Sequence, residues 1–155
     1  MKKLLIVAAV VAGSVSMNAS AGLLSGSRPD TLGVNAEGRL APLPSAPHAV
    51  GSQALAGSKS AIAPLLVSGD KTSYMTRLAA VAADMPGATV VKQGASYLYV
   101  EYSSLLMGFV DDVEFALQAD GQRVDVRSSS RVGYYDFDAN RDRVERIRTA
   151  MQAGK

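Results

Sequence analysis

The chain has 155 residues, with 16 lysines and arginines against 14 acidic side chains, one histidine and no cysteine. That is enough for one domain with a single core, and the missing cysteines exclude a disulfide framework and any sulfur redox chemistry other than at methionine. Two of the 16 basic groups, Lys2 and Lys3, fall in a leader, so 16 less 2 leaves 14 against 14, and this formally neutral body argues against a nucleic-acid partner.

Lys2 and Lys3 precede a short apolar run at 4–15 and the small residues Ala19-Ser20-Ala21. This order predicts a secretory signal peptide over 1–21, cut after Ala21, and a bacterial envelope destination, the periplasm. The run is too short for an ordinary span and no second one follows, so no integral membrane segment is expected after cleavage. Residues 22–59 are rich in Gly, Pro, Ser and Ala, with a turn at Pro29-Asp30 and prolines at 42, 44 and 47. They read as an extended arm laid over the body or as a partly disordered lead-in, the arm being counted with the 60–155 domain.

Beyond residue 60 the pattern tightens. Residues 62–67 suit a short strand. Asp70 or Thr72 can cap a helix bearing Met75, Leu78, Ala82 and Met85, stopped by Pro86-Gly87. Strands at 88–91 and 96–102 flank a turn at Gln93-Gly94. In the second, Leu98, Val100 and Tyr102 share one face, and Tyr97, Tyr99 and Glu101 the other.

The next hairpin yields to arithmetic. A two-residue turn at Asp120-Gly121 sets Leu117 opposite Val124, Phe115 opposite Val126, and Val113 opposite Ser128. The other face then pairs Glu114 with Arg127, an ion pair of about 0.2–1 kcal/mol. A one-residue slip would exchange the faces, so agreement of both rows supports this register. A last helix over 141–153, capped by Asn140, buries Val144, Ile147 and Met151, pairs Arg141 with Glu145 and Asp142 with Arg146, and stops at Gly154. The fold class is α+β: an antiparallel β-meander packed by an internal helix and a C-terminal helix, with an extended N-terminal arm.

Several ordered motifs carry a resemblance. RPDTLGV, GRLAP, the proline frame at 42–54, IAPL at 62–65, GFVDDVEF at 108–115 and VRSSSRVGYYDF…NRDRVERIR together resemble the domain-of-unknown-function 1499 family. The resemblance covers nearly all of the chain after the leader and implies no established activity. Members of that family often carry two cysteines six residues apart, where this chain has Leu43 and Ala49, with His48 in place of an asparagine. The joint loss is what a disulfide pinning the arm would leave behind, and it removes any thiol site from this loop.

The polar residues admit several chemistries. His48 is the only side chain with an ordinary pKa near neutrality, but in a Pro-rich loop it reads as exposed and uncatalytic. The run from Asp136 through Asp138 and Asn140 to Asp142 resembles the start of a calcium loop, yet Arg141 holds the glycine position and Ile147 the glutamate position, so no metal is expected. Asp111 and Asp112 are candidate catalytic carboxylates of a hydrolase, against a reading as satisfied strand residues. Arg127, Ser128, Ser130, Arg131, Asn140 and Arg141 are the candidate ligand-binding set: two guanidinium forks and several hydroxyls near a helix start suit an anionic group. A structural lattice with Asp111, Asp112 and Asp136 is the competing reading. The expectation is a non-catalytic binding or accessory module of the envelope, with no cofactor, for an anionic small molecule or lipid head group. The alternatives are the hydrolase and an accessory subunit docking through Tyr97, Tyr99, Tyr134 or Tyr135.

Overall fold

A computed structural model of the chain describes residues 24–153. The expected leader and the helix stop at Gly154 lie outside the described residues. The elements run β1 (Ala49–Gly51), β2 (Leu65–Leu66), α1 (Lys71–Ala83), β3 (Ala88–Gln93), β4 (Tyr97–Ser103), β5 (Val110–Leu117), β6 (Arg123–Ser130) and α2 (Ala139–Ala153). The strands form one antiparallel six-stranded sheet in the order β1-β6-β5-β4-β3, with β2 also paired to β6. This is the expected α+β meander.

The β5–β6 register is the expected one, including Phe115 opposite Val126 and Glu114 opposite Arg127. The turn is wider than two residues: Gly121 N–H donates to Gln118 O at 2.9 Å and Gln118 N–H to Arg123 O at 3.0 Å. Widening a turn by one residue on each side leaves every pairing unchanged, which is why the arithmetic survives. The β3–β4 turn is displaced instead. Gln93 stays in its strand, Gly94 N–H donates to Tyr97 O, and the register shifts between Val90 and Lys92, so Val91 forms a bulge.

Alternation along the strands makes two different faces. Leu98, Val100, Tyr102, Val113, Phe115, Val124 and Val126 meet Met75, Leu78 and Ala82 of α1 and Val144, Ile147 and Met151 of α2. Full burial of each large side chain here is worth about 1.5–3 kcal/mol. Asp70, not Thr72, caps α1, its carboxylate accepting from Ser73 N–H at 2.8 Å.

Three sequence expectations need correction. The 62–67 strand shrinks to Leu65–Leu66, because Pro64 has no N–H to pair. The arm contributes an edge strand, β1, along β6. α2 begins before Asn140, so Asn140 lies inside it and is no cap. The Asp136 carboxylate accepts from the N–H groups of Asp138 and Asn140 instead. On α2, Glu145 bonds Arg148 at 2.9 Å, while Arg141 turns to the carbonyls of Lys59 and Ala61.

The sheet's second face is polar, and residues 26–43 lie along it. Arg28 bonds Glu101 at 2.7 Å and Gly33 N–H bonds Glu114 at 2.7 Å. The arm is therefore laid over the body, and it roofs the charged row.

Candidate functional site

The six candidate ligand residues do not converge. On β6, successive side chains alternate, so Ser128 and Ser130 face the helices while Arg127 faces the arm. Arg131 also turns to the arm side. Its Nε and NH2 grip the Asp112 carboxylate at 3.0 and 2.7 Å, and NH2 also reaches the Tyr99 hydroxyl and Glu101. Arg127 lies 3.4 Å from Glu114, with its Nε unpartnered among the described residues. Arg141 is spent on arm carbonyls.

The arm side is thus a closed lattice. Glu114 accepts from the Tyr97 hydroxyl at 2.7 Å as well as from Gly33. Burial pushes its carboxyl above the ordinary range, outweighing the hydrogen bonds that favour the charge. At Glu101 the balance reverses: burial would raise it, but hydrogen bonds from Tyr99, Arg28 and Arg131 together hold it below. Burial and carboxylate partners drive the Tyr97 and Tyr99 phenols far up, so both stay protonated at ordinary pH and donate to carboxylates, while the Tyr99 oxygen also accepts from Arg131. Both lie under the arm rather than exposed for docking.

Asp111 and Asp112 are neighbours in sequence but face opposite ways. Asp111 bonds Arg143 at 2.6 Å on the helix side, and Asp112 bonds Arg131 on the arm side. They cannot act on one substrate as an acid–base pair.

On the helix side Asn140 is the organising residue and is fully buried. Its Nδ2 donates to His48 O, Ser130 Oγ and Asp136 Oδ2, and its Oδ1 accepts from Ser128 Oγ and Arg143 NH1. His48 is buried, not exposed. Its carbonyl accepts from Ser130 N–H, and its Nδ1 has no partner among the described residues. Asp136 is spent on the start of α2, and among the described residues no group of three or more His, Cys, Asp or Glu side chains is arranged to hold a metal.

Beside this hub lies a cleft of about 580 Å³ between the 104–109 and 132–137 loops. Asp111, Ser130, Asp136 and Arg143 supply its polar floor, and Tyr102, Leu105, Leu106, Phe109, Tyr135 and Phe137 its walls. The Arg143 guanidinium sits 4.6 Å from the Tyr102 ring centroid, with Asp111 and Asn140 on its edge. Such a cleft suits a ligand with an apolar body and one hydrogen-bonding end. Of the candidate residues only Asp111 and Ser130 line it. Sequence reasoning named the loop residues Tyr135 and Asp136 in other roles and missed Arg143, Leu105, Leu106, Phe109 and Phe137. The available signal was Leu105-Leu106-Met107, an apolar triple in a connection where polar turn residues are the rule.

Searches among curated proteins and among solved structures returned no match. A family model described as "Protein of unknown function (DUF1499)" matches residues 39–151, and the chain belongs to that family.

Proposed function

We propose that the protein is a non-catalytic binding module holding an amphipathic small molecule or lipid in the cleft between the 104–109 and 132–137 loops. The observation that carries this reading is the division within the cleft, with apolar walls above a floor of Asp111, Ser130 and Arg143. Its volume falls among those of small-molecule sites, where apolar contact supplies affinity and a few polar groups fix orientation. The guanidinium has five N–H donors, more than Asp111 and Asn140 consume, so Arg143 keeps donors for a ligand oxygen. With Asp111 and Asp136 beside it the floor sets one cation against two carboxylates, which favours an uncharged ester or hydroxyl end over an anionic group. Ser130 Oγ faces the Asn140 amide at 2.9 Å rather than a base, which supports binding over hydrolysis.

Ala139 is exposed on the cleft rim at the start of α2, so Ala139→Trp fills the cleft while removing no side-chain contact. Fluorescence of N-phenyl-1-naphthylamine is expected to rise on binding wild type, to fall on adding dodecanol, and to need about tenfold more protein with the variant at unchanged Tm. Equal dye binding by both chains, or none by wild type, rules the reading out. The leader-like residues 1–21 support action in the cell envelope. Mass spectrometry of the protein from a periplasmic fraction is expected to find a chain beginning at Gly22, and a cytosolic chain retaining Lys2 and Lys3 would overturn that part.

A further inference from the structure

The mouth of the cleft is more apolar than a water-borne ligand requires. Leu105 and Leu106 are 96% and 95% exposed, and Phe137 across the opening is 84% exposed. Met107, Tyr134 and Tyr135 are exposed on the same two loops. One loop joins β4 to β5 and the other joins β6 to α2, so both stand at the sheet end opposite the 118–122 turn. An apolar group of this kind, gathered at one end, marks a surface that meets something apolar.

The order of polarity indicates what that is. The most exposed residues of the cleft are the apolar Leu105, Leu106 and Phe137, while Asp111, Ser130 and Arg143 lie deeper, beside the buried Tyr102 ring. A polar ligand arriving from water would lose hydration against the apolar rim before reaching Arg143 and Ser130. A lipid leaving a bilayer meets the reverse order: its head moves up towards the floor while its chain stays among Leu105, Leu106 and Phe137. Charge narrows the surface further. Neither 104–110 nor 132–139 contains Lys or Arg, and the second holds Asp136 and Asp138. Attraction through these loops is apolar and aromatic rather than ionic, which fits a zwitterionic surface and disfavours an anionic one.

We propose that the two loops dip into the surface of a zwitterionic phospholipid bilayer, and that the ligand of the cleft is a lipid acquired through that contact. This rests on the reading of the cleft as a binding site. The chain has no cysteine, so Leu106→Cys offers one clean position for an environment-sensitive nitrobenzoxadiazole label, with Ala119→Cys, exposed at the opposite sheet end, as the control. With full-length protein and phosphatidylcholine vesicles, the label at 106 is expected to shift to the blue and that at 119 to stay unmoved, with no loss at tenfold higher salt. Vesicle binding through the leader alone moves neither label and overturns the proposal. So does a shift that requires phosphatidylglycerol and fades in salt. A shift that grows with protein concentration without vesicles assigns the mouth to a second copy instead. An unmoved label at 106 together with intact N-phenyl-1-naphthylamine binding removes the bilayer and leaves the cleft standing. A vesicle shift in a chain that binds no dye removes the cleft as the source of the contact.

Discussion

Arg131 and Asn140 show how single buried polar residues organise opposite faces of one sheet. Asp112 is 1% exposed and depends on the Arg131 fork for compensation. Arg131→Met therefore leaves a buried carboxylate without its cation, and a loss of about 3–5 kcal/mol in urea unfolding is expected. Adding Asp112→Leu should restore part of that loss, because an apolar pair needs no compensation. A single variant within experimental error of wild type would show the lattice to be ornamental. On the other face, Asn140→Ala strands Ser128 Oγ, while the His48 carbonyl keeps its bond from Ser130 N–H, for an expected loss of about 1–3 kcal/mol by the same measurement. Both positions were visible in the sequence as polar residues in a suggestive run. Arg131 falls on one face, and the Ser128 and Ser130 partners of Asn140 on the other, by the alternation along β6 that the register already implied for Ser128 and Arg127.

At the level of elements, turns decide where strands begin, and Gly87 is the tightest of them. It follows α1 with φ 76°, and an added Cβ would stand 2.2 Å from Ser103 O. The chain cannot withdraw, because Ser103 N–H bonds Gly87 O at 2.9 Å. Gly57 has a similar φ of 78° but nothing within 4 Å of the added carbon. Gly57→Ala should cost about 1 kcal/mol from conformation alone, and Gly87→Ala at least twice that, read from paired thermal melts. Equal shifts would mean that the close approach to Ser103 relaxes freely. Hairpin pairing was readable because apolar and charged rows had to agree, whereas the start of α2 was misread. Asn140 has the chemistry of a cap, but the helix starts earlier, where Asp136 accepts from the N–H groups of Asp138 and Asn140 across a turn in which Phe137 and Asp138 both take positive φ.

For the molecule as a whole, stability in acid depends on the seam between arm and sheet. Glu101 joins Arg28 of the arm to Arg131 of the body, and its folded-state value lies below the ordinary 4.5. Its contribution is therefore complete above pH 4.5 and is lost as pH falls through the lower folded value. Glu101→Gln should lower stability at neutral pH and flatten the fall below pH 4.5, measured as urea midpoints across that range. An acid limb of unchanged slope would show that the seam carries no linkage.

By itself the sequence determined the α+β class, the β5–β6 register, the α1 and α2 core stripes and the family, because period, turn chemistry and motif order are local properties. Tertiary structure alone decided that residues 26–43 roof the charged face and that His48 is buried just before β1, its carbonyl bonded to Ser130 of β6. It also decided that Arg143, which the sequence did not single out, lines a cleft beside Tyr102. Those outcomes depend on which surfaces meet across separations of tens of residues, as between Arg28 and Glu101 or His48 and Asn140. No local pattern encodes such a meeting, since the same arginine is equally at home in water or against a ring until a second element arrives to cover it.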